Sequence, residues 1–165
     1  MVGWLWFSLL VLALDQGSKW LVQTTLEAYQ PYVVTSFLNW TLMYNNGAAF
    51  NFLSDAGGWQ RWFFVVVALG MSLVLCIWLL RLKAGEGWLA AGLSLIVGGA
   101  LGNLVDRALL GHVVDFIQVS IPAIRLAIFN PWPAFNIADS AIFLGVAILL
   151  IMGLRSEDGT RTDEA

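Results

Sequence analysis

Four stretches of the chain, Trp4–Val22, Trp62–Leu80, Gly87–Leu109 and Phe135–Leu154, are nearly unbroken runs of apolar residues. A bilayer core of about 30 Å takes about 20 such residues wound as helix, at about 1.5 Å of rise each. Runs of this length predict membrane-spanning helices. A chain of 165 residues that is 59% hydrophobic, with nine tryptophans, lies outside the soluble range. The expected fold class is an α-helical integral membrane protein with four transmembrane helices, forming one domain over residues 1–165 with connections at 23–61 and 110–134 and a polar tail at 155–165. The first run is expected to stay as a helix, since no basic region precedes it and no small-x-small site follows it.

Basic residues orient the helices. Arg81 and Lys83 fall between the second and third runs, and Arg155 and Arg161 follow the fourth. The positive-inside tendency puts both places, and with four spans both termini, in the cytoplasm. The two longer connections, whose only Lys or Arg residues are Arg61 and Arg125, then lie on the outer face, which in a bacterium is the periplasm. The formal charge of −3 reflects Glu157, Asp158, Asp163 and Glu164 in the tail and says little about partners. No basic footprint for nucleic acid is present. Cys76, the single cysteine, lies in an apolar run and reads as a lipid-facing structural thiol, which excludes an internal disulfide or thiolate metal site.

The outer connections carry structure of their own. Leu38, Trp40, Leu42 and Tyr44 alternate with Asn39, Thr41 and Met43, a half-buried strand pattern. Asn45, Asn46 and Gly47 then allow a sharp turn before apolar sequence resumes at Ala48, Ala49 and Phe50. Ile117, Val119 and Ile121 alternate with Gln118 and Ser120 ahead of Pro122. A small, partly β periplasmic cap is expected.

Ionisable groups at membrane depth carry the functional reading, because they are tolerated mainly when paired or facing a wet cavity. Asp15 and Lys19, spaced i, i+4, share a helix face and predict a structural ion pair. An acid so engaged is a poor proton donor. In the third run Asn103, Asp106 and Arg107 fall on one face, where Asp106 and Arg107 read first as a salt bridge positioning the end of the helix. Gly98 and Gly102 predict close helix packing, and Gly99 lies on the polar face with Asn103.

Asp115 is nine residues beyond Asp106 and would point the opposite way on an unbroken helix. Gly111 permits a break, after which Asp115 sits at the outer boundary among Val113, Val114, Phe116 and Ile117, with His112 the only basic group near it in sequence. Asp139, near the start of the fourth run, is likewise surrounded by Ile137, Ala138, Ser140 and Ala141, with Asn136 one turn back. That run begins at the outer surface, so the two acids share a depth. Two carboxyl groups held close share a proton, and one can then activate water while the other protonates a carbonyl, with no metal or cofactor. From spacing alone the same pair serves proton relay or cation transport equally well.

The segments DQGSKW, YNNGAAF, GGALGNLVDR, GHVVDF and FNIADSAI, in this order across nearly the whole chain, resemble the lipoprotein signal peptidase (signal peptidase II) family. The resemblance implies a multi-pass enzyme of the bacterial inner membrane that removes the signal peptide from prolipoproteins, cutting on the amino side of a diacylglyceryl cysteine, and that globomycin inhibits. Motif by motif it implies Asp115 and Asp139 as the catalytic dyad, near the periplasmic face. Asn45, Gly47, Asn103, Arg107 and Asn136 match residues lining the active site, and Asp106, Asp15 and Lys19 match supporting positions, with Gly99 kept beside them. Asn46 departs from the Thr or Val of many members, and the segment from Gln118 to Pro133 looks longer than in some. The substrate's signal helix is expected in the groove between helices, with its lipid tails toward the bilayer. The rival readings are a small ion-coupled transporter using the same acids and, more remotely, a non-enzymatic membrane scaffold.

Overall fold

The structure is a computed structural model that describes residues 1–47, 57–121 and 130–162, without the side chains of 155–162. Ala48, Ala49, Phe50, Pro122, Arg125, Asp163 and Glu164, together with the side chains of Arg155, Glu157, Asp158 and Arg161, lie outside the described residues. In chain order the elements are α1 (Trp4–Thr25), β1 (Pro31–Val33), β2 (Leu38–Asn45), α2 (Trp59–Arg81), α3 (Gly87–Leu109), β3 (Val113–Val119) and α4 (Ile137–Thr162). Among the described residues α2, α3 and the 137–154 part of α4 are long and apolar enough to cross a membrane. The chain is thus a mostly helical, membrane-embedded, multi-pass protein with a small sheet. α1 has comparable length but carries Asp15, Gln16 and Lys19 in its second half. The helix beginning at Ile137 runs on through the polar segment to Thr162, where a tail was expected.

α3 is the central helix, packed against α1, α2 and α4, and its glycines let α1 and α4 approach closely. A Cβ added at Gly98 would stand 2.7 Å from both the Ser8 carbonyl oxygen and Val11 Cβ of α1, and one at Gly102 would stand 2.5 Å from Asp15 Oδ2. Gly99, on the face it shares with Asn103, meets α4: an added Cβ would collide with the Ala138 carbonyl and lie 2.8 Å from Ile142 Cγ1. Gly145 of α4 and Gly92 of α3 pack on each other in the same way farther along. Gly99→Ala should therefore push the start of α4 away, costing about 1–3 kcal/mol in thermal unfolding. Gly70→Ala, inside α2 with open space around it, should cost nothing and raise stability by up to about 1 kcal/mol. Equal unfolding temperatures for the two variants would refute this packing. Cys76 is half-buried against the core around Leu75 and Leu79, so it is not simply lipid-facing.

Gly111, with φ of 88°, ends the helical direction just after α3 and starts β3. This is the break that frees Asp115 from the face of Asp106. The sheet has the order β1-β2-β3, antiparallel throughout. One expectation fails inside β2. A bulge between Trp40 and Met43 shifts the register, so adjacent Thr41 and Leu42 are both buried while Trp40 and Tyr44 are exposed. An extra residue on one strand reverses the phase of the side chains beyond it. Leu42, Val114 and Phe116 pack on Val22 of α1, which seats the sheet over that end of the helices.

Candidate active site

The site forms where the sheet meets the start of α4. Asn136 immediately precedes α4 and closes a reciprocal cap: its Oδ1 accepts from the Asp139 N–H at 2.8 Å, and Asp139 Oδ2 accepts from the Asn136 N–H at 3.2 Å. A side-chain pair of this kind satisfies two helix-end donors and fixes both rotamers. Asn136 also turns its amide toward the sheet, with Nδ2 donating to Asp115 Oδ1 at 2.7 Å. One residue therefore holds both acids, across segments 21 positions apart in sequence.

The other carboxylate oxygens are also engaged. Asn45 Nδ2 donates to Asp115 Oδ2 at 3.1 Å, and Asn103 Nδ2 donates to Asp139 Oδ1 at 2.8 Å. Among the described residues each of the four oxygens thus accepts one hydrogen bond, and it keeps capacity for a water or a shared proton. Burial, and after it the Asp139 carboxylate, push the Asp115 carboxyl up from 3.8 to about 7, against the opposing pull of Asn45, Lys19 and Asn136. Because the folded value is raised, this group's stabilising contribution is complete below pH 4 and is lost as pH rises through 7. Asp115→Asn has no proton to lose there, so its stability relative to the parent should rise between pH 4 and pH 8, by at most about 1.4 kcal/mol per pH unit. A difference in unfolding temperature that stays constant over this window would contradict the raised value.

Behind the pair lies a buried charge cluster. Lys19 Nζ contacts Asp15 Oδ2 at 2.8 Å, Asp106 Oδ2 at 2.9 Å and Asn103 Oδ1 at 3.0 Å. The expected Asp15–Lys19 pair is present, with Asp106 as a second acid. The expected Asp106–Arg107 bridge is not: adjacent residues on a helix point about 100° apart, and these two diverge. Asp106 faces α1 and accepts the Val114 N–H, tying β3 to α3. Arg107 donates to the Gly47 carbonyl at 2.8 Å and lies 5.0 Å from the Phe64 ring centroid. Asp15 Oδ1 accepts the Ala138 N–H in the first turn of α4. Sequence reasoning passed over Gln16, whose Nε2 reaches Asp106 Oδ1 at 2.9 Å and the Gly102 carbonyl at 3.1 Å. Its signal was available as an amide beside Asp15 in an otherwise apolar helix.

His112 is not a partner of Asp115. Its ring packs 4.6 Å from that of Tyr44, and burial lowers its affinity for a proton against the pull of Asp106, leaving it neutral at pH 7. The acids face a cavity of about 1000 Å³, bounded by β2, β3, α3 and α4 and walled by Tyr44, Trp132, Pro133, Phe143 and Leu144. Phe143 and Leu144 are exposed on the outside of α4, so the cavity borders the lipid-facing surface. The apolar wall residues could not be recognised in sequence, where they look like any other membrane-helix or loop side chain.

Fold and site together define a polytopic membrane protein in which a buried carboxyl, Asp115, and a half-buried one, Asp139, line one cavity. The family model described as signal peptidase (SPase) II matches residues 7–155. A lipoprotein signal peptidase of Pseudomonas paraeruginosa is 53% identical over 93% of this chain and 89% of its own length. One of Pseudomonas fluorescens is 50% identical over 99% of this chain and 92% of its own. A bacterial membrane enzyme solved by the in meso method at 2.3 Å superposes with a TM-score of 0.83 and 31% identity, covering 96% of this chain and 92% of that one. The chain belongs to the signal peptidase II family and is a membrane-embedded peptidase.

Proposed function

We propose that the protein removes signal peptides from diacylglyceryl-modified prolipoproteins by aspartic chemistry, with Asp115 and Asp139 as the dyad. Asn136 carries this reading, because its side-chain amide donates to the Asp115 carboxyl and its backbone N–H to that of Asp139, which supports one reaction centre for the two acids. The pair shares one proton. The ionised member takes a proton from water as its oxygen attacks the scissile carbonyl, and the other protonates the carbonyl oxygen. Collapse of the resulting gem-diol breaks the C–N bond as the departing amine of the lipidated cysteine takes a proton back from the dyad. Asn45 and Asn103 keep the carboxyls aimed, while Arg107 holds the Gly47 carbonyl and so the turn after β2.

α1 serves as the fourth span in this reading. Its Asp15 and Lys19 are 0% and 1% exposed, whereas Leu9, Leu10, Leu14, Trp20 and Leu21 form an exposed apolar surface suited to lipid. With both termini cytoplasmic, the sheet and dyad stand near the periplasmic face of the inner membrane. The signal helix of the substrate would lie along α4 at Phe143 and Leu144, with the lipid tails in the bilayer and the scissile bond at the acids.

Membership in a peptidase family argues against the transport reading. The deciding experiment is processing of a diacylglyceryl precursor by the purified protein in lipid vesicles. Cleavage on the amino side of the lipidated cysteine, blocked by globomycin, is expected. Substrate-driven proton movement without peptide cleavage would overturn the proposal.

A further inference from the structure

The strand at the free edge of the sheet, with the turn that follows it, is exposed, apolar and uncharged. Tyr32 and Val33 in β1 are 65% and 69% exposed, and Phe37 in the turn to β2 is 55% exposed. From Ala28 to Ser54 the sequence contains no Asp, Glu, Lys, Arg or His. A sheet edge that meets water is commonly guarded by charged side chains, which also keep it soluble. This edge is guarded otherwise: β1 has only three residues and opens with Pro31, which has no N–H to offer another strand. Those features oppose strand addition by a second chain, yet they do nothing to suit Tyr32, Val33 and Phe37 to water.

The tip is held in shape by its own hydrogen bonds. The Val34 and Thr35 N–H groups both donate to the Leu38 carbonyl, and Thr35 Oγ1 accepts from the Phe37 and Leu38 N–H groups. The apolar surface is also continuous with a membrane-facing one. The sheet rests on Val22 and Leu26 at the Thr25 end of α1, where neighbouring Trp20 and Leu21 are exposed.

We propose that the β1–β2 hairpin docks on the lipid bilayer, with Tyr32, Val33 and Phe37 in the interface beside the Thr25 end of α1. Lipid is the occupant that the observations favour over a second protein strand, because the surface is charge-free, adjoins an exposed helix face and carries proline at its edge. Aromatic and aliphatic side chains on such a surface gain by leaving water for the headgroup and upper acyl region. β2 pairs with β3 so that Met43 stands opposite Asp115. A hairpin resting in the interface therefore sets the depth of Asp115 relative to the headgroups, a consequence that rests on the proposed function, whereas the docking itself does not.

The test uses the full chain with Cys76→Ser, carrying Val33→Cys, Phe37→Cys or Ala84→Cys singly, each labelled with an environment-sensitive fluorophore. The proteins are placed in nanodiscs of phosphatidylethanolamine and phosphatidylglycerol, which leave both faces open to solvent. Ala84 lies in the exposed loop between α2 and α3 and serves as the aqueous reference. Labels at positions 33 and 37 should be quenched at least threefold more strongly by a lipid with a nitroxide high on its acyl chain than by aqueous iodide, and the label at 84 should show the reverse. Iodide quenching at 33 and 37 equal to that at 84 would overturn the proposal. Protection from both quenchers, the mark of a peptide or second copy over the edge, would overturn it too. Fluorescence depth is read whether or not the protein cleaves, so failure of the peptidase reading would leave this result standing.

Discussion

Asp139→Asn should reduce processing of a lipidated precursor by about 10³-fold or more while the protein remains folded and inserted. The isosteric amide can still accept from Asn103 Nδ2 through its oxygen, so most of the packing at the start of α4 survives. What disappears is the carboxyl group's capacity to hold or release a proton during attack on the carbonyl. The cap with Asn136 loses one acceptor, because an amide nitrogen cannot accept from the Asn136 N–H. The expected structural cost is about 1 kcal/mol, small beside the loss of turnover. Asp115→Asn should give an equal loss for the same chemical reason, even though its partners are Asn45 and Asn136. Single-turnover cleavage in vesicles, measured beside thermal unfolding, separates the two effects. Turnover within tenfold of the parent in either variant would remove that acid from the dyad.

Lys19→Met should be the most destabilising of the substitutions proposed, by about 3–5 kcal/mol. Methionine approximates the length of lysine, so the change leaves little cavity and mainly deletes the ammonium. Asp15 and Asp106 then face each other, buried, with no cation between them. The strain spreads because each acid also holds a backbone N–H of another element, Ala138 of α4 and Val114 of β3. Asn103 Oδ1 loses one of its two donors and keeps Asn136 Nδ2 at 3.0 Å, so the constraint that aims Nδ2 at Asp139 is weakened. Adding Asp106→Asn should recover part of the stability, since one like charge goes and the two positions share a contact. Unfolding temperatures in detergent supply the measurement. Additive losses in the double variant would show that Lys19 and Asp106 do not act as a pair.

Much of this was readable before any fold was known. The ion pair of Asp15 and Lys19 follows from i, i+4 spacing, and the chain break after α3 follows from Gly111. Other relations were out of reach. Arg107 was read with Asp106 because both were placed on the face of Asn103, but it reaches instead a carbonyl 60 residues earlier, brought near by the turn after β2. The bulge in β2 inverted the expected faces of Thr41 and Trp40, and no local pattern marks where an extra residue falls out of register. Gly99 does share a face with Asn103, as its spacing implied, but that this face meets the Ala138 carbonyl of α4 was not in the spacing.

By itself the sequence determined the membrane setting, the helical segments and the short list of groups able to do chemistry, because bilayer thickness and the cost of buried charge act on local composition. Only the tertiary structure decided how those groups are partnered. Asn136 meets Asp115 and Lys19 meets Asp106 only once α1, α3, β3 and α4 have packed together, and a hydrogen bond depends on distances and directions that a linear pattern does not contain.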